Sequence, residues 1–317
     1  MIIEIILRIV IINYQLKIVP RNIEGRGIIN NGSLHEFQTA SITDNIETLN
    51  DYIIKFIDYQ KDISKVVAKP IPSLPEYVRF ENIQRNITDL KNIPIGITKH
   101  TLEVCKMDFI SNIGTIITSN KLENMDVFVN SLLAILRIIP GLNLMIMDPM
   151  KKLKLNLNYY PNYYSERFDE VVSKLGNYVD KLSDSKSDVQ GILIMYGLSN
   201  FPTVFEDITI SENSEDDDED VNVLESFLTK VYKYKNIGII GIEDSKKIKE
   251  LQYEDWYTKI FSSGDGVWVG KGIDDQNILK TDSYGKEFQV NYKNDMGFQV
   301  VEGDAVLIKL IDFVTKE

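Results

Sequence analysis

The chain has 317 residues, 44% apolar and 26% charged, enough to bury a large core, which excludes a disordered, collagen-like or small disulfide-stapled chain. One cysteine, Cys105, excludes an internal disulfide, and two histidines, His35 and His100, exclude a multi-histidine metal centre. A net charge of −12 excludes a generally basic surface of the kind that displaces counterions from nucleic acid, so no nucleic-acid partner is expected.

Residues 1–12, MIIEIILRIVII, are strongly apolar but short, and Glu4 and Arg8 interrupt them. They read as a buried strand or an ill-defined start, and no direct membrane insertion is expected. Residues 25–38 carry Gly25, Gly27 and Gly32 around two short apolar stretches, the pattern of strand, turn and strand. Ile46, Leu49, Ile53, Phe56 and Ile57 then share one face of a helix over 45–63. Pro70, Pro72 and Pro75 cannot continue it and make a stiff connector, which places a domain boundary near 65–90.

Beyond the boundary, apolar strands are expected at 113–118, 142–147, 191–196, 237–242 and 266–269. Between them lie helical stripes. Phe128, Leu132, Ile135 and Ile139 make one, and Phe168, Val171, Val172, Leu175 and Val179 a second. Leu224, Phe227, Leu228 and Val231 make a third. Unbroken apolar strands alternating with amphipathic helices predict a parallel sheet covered on both faces. The end, 277–310, returns to short strands with turns at Tyr284-Gly285 and Glu302-Gly303.

Residues 211–220, SENSEDDDED, hold seven carboxylates and no apolar residue. Asp216, Asp218 and Asp220 alternate as calcium ligands do, but Val221 stands where the turn of such a loop needs glycine, and a solvated loop is the preferred reading. His100 and Cys105 have the residue types of a thiol pair. They fall in a hairpin over 94–109, where Cys105 alternates with Val104 and Met107 as a structural thiol. Asp148 before Pro149 reads as a turn former rather than a metal ligand. Trp256, Tyr257, Phe261 and Trp268 are either core or an aromatic partner surface, with Lys271 beside it. No metal site and no catalytic residue is assigned.

In a fold of this kind the segment after the 113–118 strand is where a phosphate-binding loop sits. Such a loop needs glycines to expose backbone N–H groups, a lysine, and a hydroxyl for Mg²⁺. The segment from Ser119 to Asp126 has no glycine; Met125 takes the lysine position and Asp126 the hydroxyl position. Lys121 is its one cation, Asn124 precedes Met125, and Glu123 with Asp126 opposes phosphate.

The chain from Ile95 onward resembles an ATPase module of the FtsK/SpoIIIE type, and within it the last module of the membrane-bound type VII secretion ATPases of Gram-positive bacteria. The carrying residues are the IPIGI of 93–97, the MIMDP of 145–149 with Lys151 behind it, Tyr160-Pro161, the DGVWVGKGIDDQ of 265–276, and the close from Gly297-Phe298 to Asp312-Phe313. Gly25-Arg26-Gly27 and Glu36-Phe37-Gln38 resemble the last strands of a preceding module, and residues 1–20 match nothing. Three parts of the family's catalytic apparatus are altered. The nucleotide loop is degenerate. The acidic strand ends in Tyr196-Gly197 where two carboxylates are usual, and Asp275-Gln276 replaces a Ser-Arg pair.

The resemblance implies a P-loop NTPase-like α/β fold of the RecA/FtsK type, with a mainly parallel sheet, helices on both faces and a short C-terminal β region. It implies a module tail over 1–44, a helix and proline-rich linker over 45–90, and a degenerate ATPase module over 91–317. It implies a C-terminal part of a secretion motor that docks substrates or regulates the motor without hydrolysing ATP. Secreted effector proteins, other secretion-system components and upstream ATPase modules of the same motor are the expected partners. Homo-oligomerisation is expected through the full motor, in the cytoplasm at the cell membrane. No cofactor is expected, with weak ATP binding left open. The alternatives are an active ATP-dependent DNA translocase and a non-functional truncated fragment.

Overall fold

The computed structural model describes residues 25–30, 34–40, 48–63, 72–87, 89–111, 114–184, 190–206, 223–232, 236–282 and 285–313. The apolar stretch 1–12 and the acidic run 211–220 lie outside them. The chain divides into two compact units between Ile71 and Pro72.

In the first unit, strands β1 (Arg26–Asn30) and β2 (Leu34–Gln38) form an antiparallel hairpin in which Arg26 donates to Glu36 and Gln38. Helix α1 (Leu49–Ile63) carries the expected apolar stripe, with Ile53, Phe56 and Ile57 exposed.

The second unit is built on one ten-stranded sheet. Its parallel half consists of β5 (Gly114–Ser119), β6 (Asn143–Met147), β7 (Tyr163–Tyr164), β8 (Gly191–Tyr196), β9 (Ile237–Asp244) and β10 (Gly266–Val269). They lie in the order β10-β5-β9-β8-β6-β7. The sequence places five of these strands within two residues of where they lie; the two-residue β7 is too short to leave a periodic signal. Four more strands extend the sheet beyond β10 in antiparallel fashion. They are β3 (Ile93–Thr98), β4 (Val104–Met107), β11 (Met296–Val301) and β12 (Asp304–Leu310). The order β4-β3-β12-β11-β10 puts the first hairpin of the unit beside the last.

Alternation along each strand feeds two cores. Leu193 and Met195 of β8 enter one core, and Ile192, Ile194 and Tyr196 the other. The first core is closed by α4 (Phe168–Asp184), α5 (Phe201–Glu206), α6 (Val223–Tyr232), α7 (Ser245–Leu251) and α8 (Asp255–Phe261). The second is closed by α2 (Phe80–Ile83) and α3 (Asp126–Arg137). Both faces are therefore dry, which is why β5 and β8 read as unbroken apolar runs.

Two expectations are corrected here. Residues 72–90, read as linker, are part of the unit. Val78 and Ile83 are fully buried, Leu90 nearly so, and Val78 bridges Ile311. Prolines hid this, because they mark an irregular path without saying what the path packs against. The aromatic partner surface is also overturned. Trp268 is 0% exposed, Trp256 2% and Tyr257 5%. On α8 the Trp256 and Tyr257 rings meet in a T and Tyr257 lies tilted on Phe261, all facing the core, since helical spacing puts positions 256, 257, 260 and 261 on one side. Burial also pushes the Tyr257 hydroxyl well above its usual pKa.

Removing such side chains leaves cavities. Ile83→Ala and Trp256→Ala should each destabilise the protein by about 2–5 kcal/mol in urea denaturation. A loss near zero for Ile83→Ala would return residues 72–90 to the status of linker, and one near zero for Trp256→Ala would return that ring to the surface.

Candidate functional site

The C-terminal ends of β5, β6, β8, β9 and β10 converge on one edge of the sheet, the edge where open α/β folds take ligands. β5 ends at Ser119, which is buried and donates its hydroxyl to the Val269 carbonyl of β10 at 2.8 Å. Asn124 in turn donates to the Ser119 oxygen at 3.2 Å. That hydroxyl is committed to the fold on both sides.

The loop then tightens into a 3₁₀ turn over Leu122–Met125 and runs directly into α3. Leu122 is 5% exposed and Met125 0%, both packed in the second core. A phosphate-binding loop arches away from the sheet so that its N–H groups ring an anion. Here two apolar side chains draw the loop down into the core. Glu123 pairs with Lys152 at 3.9 Å, and Asn294 ties Asn124 to the segment before β11.

Asp126 opens α3. Its Oδ1 accepts from the Tyr196 hydroxyl at the end of β8, at 3.0 Å. Burial holds the Asp126 carboxyl above the usual carboxylate range; the Tyr196 hydrogen bond pulls it down and Glu123 pushes it up. Burial first, and then Asp126, pushes the Tyr196 hydroxyl far above its usual value of 10.0. The two side chains thus share one proton donor and one acceptor between the end of β8 and the start of α3. Gly197 follows in a left-handed turn at φ 77°.

Asp148 ends β6 and is fully buried. Its Oδ2 accepts from the Leu153 N–H at 2.8 Å and from the Tyr163 hydroxyl at 2.9 Å, which makes it the expected turn former. Among the described residues no group of three metal-ligating side chains occurs. His100 and Cys105 do not meet. His100 bonds Glu287 at 2.8 Å, whereas Cys105 donates to Gln299 and burial pushes its thiol up to about 12.

One acidic residue at this edge escaped the sequence reading. Glu243, near the end of β9, is fully buried. It accepts from the Ser199 N–H and hydroxyl at 3.1 and 2.7 Å and from the Asp244 N–H at 2.9 Å. Asp244 caps α7 through the N–H groups of Lys246 and Lys247. The signal was an acid pair closing an apolar run, the pattern sought at 195–197, one strand further along the sheet.

Beyond β10, Gly270 and Gly272 take left-handed turns at φ 78° and 90° on either side of the exposed Lys271. Trp268 donates its indole N–H to the Lys271 carbonyl at 3.1 Å, and Asn120 donates to the same oxygen at 3.0 Å. Lys271, Asp274 and Asp275 line a cavity of about 260 Å³ whose far wall is the segment from Phe288 to Asn291.

No family model matches the sequence, and no curated protein matches it. Solved structures do share its fold. The cytoplasmic domain of EssC aligns with a TM-score of 0.62 at 12% identity, over 93% of this chain and 59% of that one. EssC (ATPases 2 and 3) from Geobacillus thermodenitrificans aligns at 0.64 and 13%, over 94% of this chain and 57% of that one. Thermomonospora curvata EccC (ATPases 2 and 3), in complex with a signal sequence peptide, aligns at 0.57 and 15%, over 94% and 55%. The chain therefore spans between 55 and 59% of the length of these three neighbours, and at such identities the likeness is one of fold: the P-loop NTPase-like α/β architecture expected from the sequence. No described helix is long and apolar enough to cross a membrane.

A hydroxyl whose folded pKa is raised stabilises the protein below its unfolded pKa, and that contribution drains away as pH rises past it. Stability should therefore fall as pH rises above 10, and Tyr196→Phe should make the fall shallower in pH-stepped urea denaturation. An unchanged slope would mean that Tyr196 is not held as a neutral donor to Asp126.

Proposed function

We propose that this chain is a C-terminal part of a type VII secretion motor, and that its second unit docks secretion substrates or regulates the motor without hydrolysing ATP. One observation carries the reading: the chain's own side chains occupy the nucleotide edge. Met125 and Leu122 are buried where a phosphate loop would stand open, and Tyr196 spends its hydroxyl on Asp126. Hydrolysis would need a cation-lined phosphate cradle and acidic Mg²⁺ ligands, and neither set of residue types stands at those positions. The fold is nevertheless fully specified, with two dry cores, so binding is the use left to it. The neighbouring EccC structure, which holds a signal sequence peptide, supports a protein-binding role by analogy of fold.

In this reading the clients are secreted effector proteins and the partners are other secretion components, including ATPase modules upstream in the same motor. The work takes place in the cytoplasm at the membrane, through parts of the motor outside this chain. A DNA-pumping role is disfavoured by the net charge of −12.

The test is steady-state ATP turnover by the full chain beside calorimetric binding of purified secreted clients. Turnover at background together with client binding is expected. Magnesium-dependent turnover above background, or absence of binding to every client, would overturn the proposal.

A further inference from the structure

Helix α3 closes the second core with one side and turns the other to solvent. On the outer side Val127 is 38% exposed and Ile138, just past the helix end, 43%; Asn130 and Ala134 between them are half-buried. These positions fall at i, i+3, i+7 and i+11, on one narrow stripe. No charged residue occurs from Val127 to Leu136. The outer face of a helix normally carries charges for solvation, and this one has none to offer. Its two middle side chains are short, and the distance between packed helices is set by the side chains at the contact, so a partner can come close.

The chain returns along this helix. After β6, Lys152 pairs with Glu123 at the start of α3, and Tyr159 lies under the Arg137 guanidinium at its end, 4.5 Å from ring centroid to cation. The residues between them therefore run the length of α3, roughly 18 Å for its 12 residues. Leu153 is buried, and Leu155 and Tyr160 pack against the second core, which anchors the segment. Leu157 and Tyr159 are left 60% and 57% exposed. Two elements thus turn large apolar side chains outward along one stretch of surface, the pattern of a protein interface.

The free charges beside it are positive. Arg137 and Lys154 form no ion pair with any described residue, whereas at the start of α3 Glu123 is engaged by Lys152 and Asp126 by Tyr196. Stacking on Tyr159 fixes the Arg137 plane and leaves its N–H edge for a carboxylate. The net charge of −12 does not cancel this, because exposed charges more than about 8 Å away are screened at physiological salt. An uncharged stripe one helix wide, flanked by two available cations, is complementary to an amphipathic helix with carboxylates beside its apolar face. A lipid surface would call for a broader apolar face with more lysines around it.

We infer that the outer face of α3, with the 150–159 segment beside it, docks an acidic amphipathic helix of a partner protein, whose carboxylates meet Arg137 and Lys154. The inference rests on the reading that the second unit works by binding protein, and it gives that binding a surface and a partner chemistry.

The experiment is a methyl NMR titration of the isotope-labelled full chain. The probes are a blocked 15-residue helical peptide with leucine along one face and glutamate beside it, its counterpart with lysine for glutamate, a scrambled peptide of the first composition, and phosphatidylserine vesicles. The acidic peptide is expected to shift the methyl signals of Val127, Ala134, Ile138 and Leu157, and the lysine and scrambled peptides to leave them unmoved. Ala134→Gln keeps a good helix former and puts a longer polar side chain in the stripe; it should weaken the acidic peptide about tenfold with an unchanged melting temperature. Arg137→Gln/Lys154→Gln should weaken it about fivefold in low salt. Shifts elsewhere, equal binding of the lysine or scrambled peptide, or full affinity in both variants would overturn the inference. Response to the vesicles without response to the peptide would overturn it in favour of a lipid surface. If secreted clients bind Ala134→Gln as well as the parent, the docking reading stands and this face is not its seat. If the parent turns over ATP, the docking reading falls while the peptide titration is still judged by itself.

Discussion

At the C-terminal edge of the sheet, the Tyr196 hydroxyl donates to a carboxylate that burial has already made reluctant to ionise. This contact joins the end of β8 to the start of α3, the two places where an ATPase of this fold would hold metal and phosphate. A buried hydroxyl left without an acceptor costs about 1–3 kcal/mol, and Tyr196 is 1% exposed. Opening the edge for a nucleotide would break its bond to Asp126 and also expose Met125 and Leu122 to water. Each of those side chains gains roughly 1.5–3 kcal/mol from burial. The closed edge is thus the low-energy state of this sequence, held by packing and by one hydrogen bond that reinforce each other.

Along the same edge the polar groups bond one another. Ser119 bonds β10, Asn124 bonds Ser119, and Asn120 bonds the turn after β10. Glu243 knits the loop after β8 to the end of β9. Apart from the Asn124–Ser119 bond within the loop after β5, these links run between adjacent strand ends, β5 to β10 and β8 to β9.

The parallel core was legible because it obeys the simplest rule in the molecule. A strand covered on both faces has few polar positions, and β5, β8 and β9 announce themselves as largely apolar runs whose polar residues gather at their C-terminal ends. What stayed hidden depends on contacts distant in sequence. The pairing of β3 with β12 joins residues more than two hundred positions apart, and no local pattern encodes it. The place of Val78 and Ile83 in the core was masked by prolines that look like a linker. At the site, the absence of glycine from 119–126, and the methionine at 125 in place of a lysine, were readable directly. The partner that fills the gap, Tyr196, was noted only as an absent acid. Trp256, Tyr257 and Trp268 were left open between core and partner surface because large aromatics serve both equally well, and only the packing of α8 and β10 decides between them.

The central claim is that the chain fills its own nucleotide site. A crystal structure of the full chain grown with magnesium and a non-hydrolysable ATP analogue in large excess tests it most directly. The account predicts Met125 buried, Tyr196 within hydrogen-bond distance of Asp126, and no nucleotide against residues 119–126. A nucleotide seated on that loop, with the Tyr196–Asp126 bond broken and a magnesium ion between β5 and β8, would contradict it.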